Sequence, residues 1–351
     1  MTNGAICMDE ASDISAEPLM SVVIPAYNAE KTLQRAMASV LQEKSIPLEL
    51  IVVDDGSTDS TPQVIDTAAQ ADKRVRRITR PNGHVAAAYN TGIHASCGKY
   101  VAFLEADDEW LPGKLQQQID ILESWPQVGA VFSNFYNHDE VTNVRQLLSE
   151  QQKQVLEALP KKRIGNHDVI IDGDMRPFLI RSNFILCSSI TMRRQLLLKL
   201  DGCDENLKGG QDWDLWVRMG AEIQFGYNEN PLVVRYKGRD SMSRPTPQWF
   251  RALIKAQEKV LSIAQQVPEL RPEVSLLEKQ LRQAHRSLIL CHVKRWQWWH
   301  ACKVLVAGLE FGFDPFSFLL VGLGVLGPIP FTVRRIVLGR PKSSNSVLTT
   351  E

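Results

Sequence analysis

The stretch from Leu48 to Thr61 reads "LELIVVDDGSTDST". Apart from Glu49, its first six residues are apolar, and a short β-branched run of this kind is a strand buried on both faces. It stops at Asp54 and Asp55. Ser57 and Asp59 then offer caps for a helix near Thr61–Ala71. The same design stands on either side. Upstream, "MSVVIPAY" (Met20–Tyr27) is another buried strand, ended by Pro25. Between the two strands, "AEKTLQRAMASVLQ" places Leu33, Ala36, Met37, Val40 and Leu41 at helical spacing. Downstream come a short strand, "VRRITR", a small-residue helix, "HVAAAYNTGIHAS", and a further strand, "KYVAFLEADD". Strand and helix alternating in this way make an α/β fold, a mainly parallel (mixed) sheet with helices on both faces.

Ligands in such sheets bind beyond the carboxyl ends of the strands. Two acidic clusters fall there. One is "DDGS"; the other is "FLEADDEWLP" (Phe103–Pro112), with four acids in five consecutive positions. Like charges that close repel, and each is costly to desolvate. A solvated acidic turn is the plain reading; a site for a divalent cation accounts better for acids aimed there by an apolar strand.

Composition narrows the remaining classes. Lys plus Arg and Asp plus Glu are 40 each, so no basic excess points to nucleic acid, and 44% hydrophobic residues suffice for a sizeable core. The six Cys are scattered without a CxxC pair, which removes zinc-ligand spacing and fits reduced thiols. Residues 1–18 are polar and acidic and read as a disordered leader. They lack the pattern of a signal peptide, so the chain is expected in the cytoplasm.

From about 139 to 178 the chain is polar and irregular, with a helical piece at "VRQLLSEQQKQVLEAL", and reads as an insertion beside the site. "NFILCSSITMRR" returns to a strand-like pattern, and "GGQDWDLWVRMG" is a Gly-rich loop entering a helix. A C-terminal helical extension covers 247–313, interrupted only at "PELRP". The tail, 314–351, carries no charge from Pro315 to Val333 but is broken by Pro328 and Pro330 and followed by Arg334, Arg335, Arg340 and Lys342. A spanning helix, a packed tail and an interfacial segment all remain open. The breaks and the basic cluster favour peripheral attachment to the cytoplasmic face of a membrane.

Four motifs in order, "VVIPAYNAEKTLQRAMASVLQ", "ELIVVDDGSTDST", "NTGIHASCGKYVAFLEADDEWLPGKL" and "GGQDWDLWVRM", resemble the family 2 glycosyltransferases, inverting enzymes of the GT-A fold. The likeness covers about Met20 to Arg239 and sets the domain at 19–246. It implies a nucleotide-sugar donor, UDP-linked by expectation, with Pro25, Ala26, Tyr27, Asp55 and Asp107 at the nucleotide. A hydroxyl acceptor, glycan, lipid-linked or other, would receive the sugar, as in cell-surface polysaccharide or glycolipid synthesis. It implies Mn²⁺ or Mg²⁺ on Asp108 and Asp107, a hard cation on carboxylate oxygen that stabilises the leaving diphosphate. It implies Asp212 as the base that deprotonates the acceptor, with Asp214 as the alternative base or, more simply, a helix cap.

The chain departs from the family pattern at several positions. Glu105 stands where the first Asp of the acidic motif is usual, and Gln211 stands where Glu is usual. Tyr89 replaces a frequent Arg, and "VRYKGRDSMSR" lacks the usual metal-binding His. Arg235, Lys237 and Arg239 become candidates for the diphosphate instead. These departures keep one alternative in play: a non-catalytic, nucleotide-sugar-binding or membrane-docked member of the same fold. An NAD-binding oxidoreductase is excluded, because no GxGxxG follows the first strand. A nucleotidyltransferase would want a Gly-rich loop there, and "IPAYNAEKTL" has none.

Overall fold

The computed structural model describes residues 18–238, 246–294 and 297–308. The leader before Pro18, Arg239 and the tail from Leu309 lie outside the described residues.

In chain order the elements are β1 (Met20–Ala26), α1 (Leu33–Leu41), β2 (Leu48–Asp54), α2 (Thr61–Ala71), β3 (Val75–Thr79), α3 (His84–Ala95), β4 (Tyr100–Phe103), β5 (Glu109–Trp110) and α4 (Lys114–Ser124). There follow β6 (Val128–Asp139), β7 (Val144–Leu147), α5 (Glu150–Ala158), β8 (Lys161–Arg163), β9 (Asp168–Ile171) and α6 (Arg176–Arg181). Next come β10 (Thr191–Arg193), α7 (Arg194–Lys199), α8 (Gln211–Met219), β11 (Gln224–Lys237), α9 (Pro247–Gln266), α10 (Arg271–Lys294) and α11 (Trp298–Gly308).

The sheet runs β3-β2-β1-β4-β10-β6-β11-β9-β8. The pairs β3–β2, β2–β1 and β1–β4 are parallel, as is β6–β11. Strand β10 is antiparallel to both β4 and β6, which makes the sheet mixed. Met20, Val22, Val23 and Ile24 of β1 and Leu50, Ile51, Val52 and Val53 of β2 are fully buried, which is why these strands show no polar alternation. Burying each such side chain contributes about 1.5–3 kcal/mol.

The polar exceptions inside are paired. Ser21 Oγ donates to Glu49 Oε1 (2.6 Å), Cys97 N donates to the same oxygen (2.7 Å), and Arg76 closes the set at 2.6 Å on Glu49 Oε2. The expected capping is only partly met: the N-cap of α2 is Ser60, without a side-chain cap bond, and Ser57 and Asp59 chiefly join the two loops. Ser57 Oγ accepts from Asn28 N across the cleft between loops, and Asp59 accepts from Glu30 N as well as from Thr61 N. The loops after β1 and β2 are thereby tied into one rim.

The segment from 139 to 178 is not irregular. Val144–Leu147, expected to be helical, is strand β7, antiparallel to the end of β6; the helix is confined to α5, which opens on a Ser149–Gln152 capping box. Strands β8 and β9 then extend the main sheet along β11. Val169, Ile170 and Ile171 are buried there, a hydrophobic run too short to stand out among polar neighbours. In "NFILCSSITMRR" only Thr191–Arg193 is strand; Cys187–Ser189 is a 3₁₀ turn. The last expected helix is two helices, α10 and α11.

The chain divides into two compact units. One comprises the residues up to Met242 with Lys259–Val274; the other comprises Ser243–Glu258 and the residues from Ser275 on. Within the second unit Ile289, Val293 and Ala301 form a small core joined by Cys302, Val304 and Leu305. Among the described residues no helix is long and apolar enough to cross a membrane.

Candidate active site

The carboxyl ends of β1 and β2 lie side by side, with Ala26 opposite Asp54 and Asp55 N donating to Ala26 O (2.8 Å). Pro25, Ala26 and Tyr27 therefore share one lip with Asp55, and Tyr27 leaves 52% of its surface exposed there. Asp54 braces the turn by accepting from Ser57 N (3.0 Å). Asp55 is buried, and its Oδ1 accepts from Arg80 Nη1 (2.7 Å) and Gly83 N (3.0 Å). Sequence reading missed Arg80 and Gly83. The available signal was positional: Arg80 follows the third parallel strand, at the same sheet edge as the acids.

The second acidic cluster follows β4. Leu104 N still pairs with Val23 O (3.1 Å), and the chain then turns, with Asp108 N donating to Glu105 O (3.1 Å). Glu105, Asp107 and Asp108 each present a carboxylate oxygen within 4.8 Å of the others. After the turn β5 pairs with β11, Trp110 opposite Val233 and Glu109 opposite Val234. That pairing carries Arg235 and Tyr236 to the acidic loop. Asp108 Oδ1 accepts from Tyr236 N (3.3 Å), and Tyr236 OH donates to Glu109 Oε2 (2.6 Å). Arg35 of α1, another residue the sequence did not single out, lies 3.5 Å over the Tyr236 ring and donates to Asp107 O (2.6 Å).

Burial drives the carboxyls of this loop upward. Glu105 is pushed well above its ordinary range by loss of solvent and then by Asp108 and Asp107. Asp108 is pushed up to about 7 by burial and then by Asp107, and Asp107 is raised by burial. Arg235 opposes the shift in all three. Hard oxygen donors that converge and resist common ionisation fit Mg²⁺ or Mn²⁺. Among the described residues no second set of His, Cys, Asp or Glu converges in this way. The longer Glu105 still reaches the cluster.

Helix α8 starts after Gly210 in the left-handed region (φ 72°) and brings Asp212 to the same neighbourhood. Asp212 Oδ2 accepts from Asn183 Nδ2 (3.2 Å). Burial raises the Asp212 carboxyl, Arg235 lowers it, and its charge in turn raises Glu105. Asp214 is wholly buried and is not a cap: Arg218 Nε (3.0 Å) and Lys259 Nζ (2.9 Å) hold it as an ion pair. Lys237 closes β11 opposite Asp139, and burial followed by Arg235 lowers its ammonium. Tyr89, where the family often has Arg, is buried, and its hydroxyl accepts from Cys187 Sγ (3.3 Å).

The sequence pattern described as "Glycosyl transferase family 2" matches residues 21–183. Over that span the chain resembles glycosyl transferase family 2. The amylovoran biosynthesis glycosyltransferase AmsB of Erwinia amylovora is 30% identical to it over 203 residues, 56% of this chain and 62% of that protein. The chain spans about a third of the length of two curated glycosyltransferase relatives, from Nostoc sp. and Rickettsia felis (35% of each). Among solved structures, S. aureus TarS 1-349 in complex with UDP superposes with a TM-score of 0.54 at 15% identity, over 93% of this chain and 94% of that one. A mannosyltransferase from Pyrobaculum calidifontis, in complex with GDP-Man and Mn²⁺, superposes at 0.51 with 18% identity, over 94% and 86%. At these identities the superpositions establish the fold of the family 2 domain: a GT-A-type mixed sheet with a C-terminal helical region.

Proposed function

We propose that this chain is a family 2 glycosyltransferase, metal-dependent and inverting, that moves a sugar from a nucleotide-sugar donor to a hydroxyl acceptor. The observation that carries the reading is the convergence of Glu105, Asp107 and Asp108 beside Arg235, with Asp212 coupled electrostatically to the same group. Asp107 and Asp108, with Glu105, would hold Mn²⁺ or Mg²⁺, which when bound supplies Lewis-acid stabilisation of the leaving diphosphate. Arg235 and Lys237 give positive charge to the same region; Arg239 is a further candidate. The lip of Pro25, Ala26 and Tyr27 offers the base an aromatic face, and Asp55 a buried acceptor. Arg80 holds one oxygen of Asp55 and so fixes the direction of the other. Asp212 takes the proton of the acceptor hydroxyl as it attacks opposite the departing diphosphate.

A UDP-linked donor is the preferred reading, supported by the bound UDP of TarS; the GDP-Man of the Pyrobaculum neighbour sets guanine as its rival. The acceptor belongs to cell-surface polysaccharide or glycolipid synthesis in this reading, and the AmsB likeness supports the former. We place the protein on the cytoplasmic face of a membrane, through the apolar and basic tail.

The test is a panel of nucleotide sugars with and without Mn²⁺, read by thermal stabilisation and nucleoside diphosphate release. A donor that binds only the native state raises its melting temperature. Stabilisation by one UDP-sugar that EDTA abolishes, with release of UDP, is the expected result. Stabilisation without release under any acceptor mixture would favour the binding-only alternative. Asp107→Ala and Asp108→Ala should match the EDTA sample while staying folded; near-wild-type turnover in either removes that residue from the metal set.

A further inference from the structure

We propose that Ser188 is a positioning residue for the cation-binding carboxylates, an inference that rests on the metal reading above. Ser188 is fully buried in the 3₁₀ turn Cys187–Ser189, 80 residues along the chain from Asp108. Its hydroxyl makes two bonds to the acidic loop. Oγ accepts from Glu105 N (3.0 Å) and donates to Asp108 Oδ2 (2.5 Å). A hydroxyl has one hydrogen to give. Since the Glu105 amide is itself a donor, that hydrogen goes to Asp108, and Oδ2 must accept.

The other Asp108 oxygen accepts from Tyr236 N, so both ends of the carboxylate are set. The one hydroxyl thus fixes the backbone at Glu105 and the side-chain rotation of Asp108, two of the three converging carboxylates.

The turn is built to hold that hydroxyl still. Trp110 Nε1 donates to Ser188 O (2.7 Å), and Gln118 Nε2 donates to Ser189 O (2.8 Å). Ser189 N and Ser189 Oγ both donate to Leu186 O (2.9 and 2.8 Å). Behind it, Lys114 Nζ lies buried 4.1 Å from the Trp110 ring centroid and donates to Gln118 Oε1 (2.8 Å). The polar groups of the turn are spent on its own rigidity, and the Ser188 hydroxyl is the one that reaches the acidic loop. Hydrogen-bond partners of metal-binding carboxylates typically govern affinity by 10–100-fold.

The experiment titrates Mn²⁺ into the full chain and follows free Mn²⁺ by electron paramagnetic resonance. Ser188→Ala should bind Mn²⁺ about 10-fold more weakly, Ser188→Thr should recover most of the loss, and Asp108→Asn should abolish tight binding. Ser188→Ala should cost less in the Asp108→Asn background than in wild type, because part of the serine's effect runs through Asp108. Melting in EDTA provides the structural control. A Ser188→Ala protein that melts lower but binds Mn²⁺ like wild type overturns the proposal while leaving the metal site intact. Wild-type binding no tighter than Asp108→Asn overturns the metal reading itself, and this proposal with it. If Ser188→Ala is too unstable to titrate, Ser188→Cys keeps the volume, weakens the donor, and is read in the same way.

Discussion

At the scale of the residue, Asp212 and Asp214 sit two positions apart and have opposite surroundings. Asp214 has its charge answered by Arg218 and Lys259; Asp212 is met by the Trp213 backbone and the Asn183 side-chain amide and shares Arg235 with the acidic loop. Asp212→Asn keeps the size and removes the proton acceptor. Turnover should fall by at least ~10², the usual scale for loss of a general base, with donor affinity little changed. Asp214→Asn should chiefly lower the melting temperature. The reverse ranking of catalytic loss, with melting unchanged in Asp214→Asn, would assign the base to Asp214.

The pH dependence follows from the same surroundings. Burial raises the Asp212 carboxyl, and the base works only when ionised. Activity should therefore fall on acidification starting above the ordinary carboxylate range, and the acid limb should vanish from the residual activity of Asp212→Asn. An acid limb unchanged in the variant would mean that another group governs it.

At the scale of the element, the site depends on how closely strands and turns approach. Gly98 precedes β4, and a Cβ built on it would stand 2.6 Å from Ser21 N and 2.8 Å from Met20 C, both backbone atoms of β1. Backbone cannot swing aside as a side-chain tip can. Gly98→Ala should therefore cost about 1–3 kcal/mol, the range for overpacking, measured by chemical denaturation. A change within experimental error would show that the β1–β4 approach has slack.

Strand β11 is the element that the sequence hid best. Its residues "NENP" carry polar side chains and a proline through a register shift, yet both flanks pair with β6. The motif "VRYK" was legible as a source of positive charge. That β5 pairs on it, and so sets Arg235 beside Asp108, was not legible, because two-residue strands leave no periodicity to read.

At the scale of the whole molecule, Lys259 lies in the helical region beyond 247 yet belongs to the first unit. It bonds Asp204 (2.7 Å) as well as Asp214. Lys259→Met should destabilise that unit by about 2 kcal/mol. This is below the ~3–5 typical of a wholly buried pair, because 32% of the Lys259 side chain is exposed and Arg218 remains on Asp214. Urea unfolding checks it, and a loss under ~0.5 kcal/mol, the range of ordinary surface changes, would deny the pair its role. Deleting Phe316–Glu351 should leave donor binding intact and move the protein from membrane to soluble fractions. Full-length protein found wholly soluble at low salt would remove the membrane proposal, and resistance to carbonate washing would point to a span.

The sequence by itself determined the strands β1, β2 and β4, because burial on both faces demands unbroken apolar runs. It also determined the acids at their carboxyl ends, because a βα unit places that end at a ligand edge. Those local patterns sufficed for the fold class, the family and the candidate acids Asp55, Asp107, Asp108 and Asp212. Only the tertiary structure decided what meets those acids: Arg80 on Asp55, Ser188 and Tyr236 on Asp108, Arg35 at Asp107, Asn183 on Asp212. The physical reason is range. A helix or strand writes its period into a few neighbouring residues. A hydrogen bond between Ser188 and Asp108 depends on how separate strands pair across the sheet, and a lone serine carries no mark of the partner it will find.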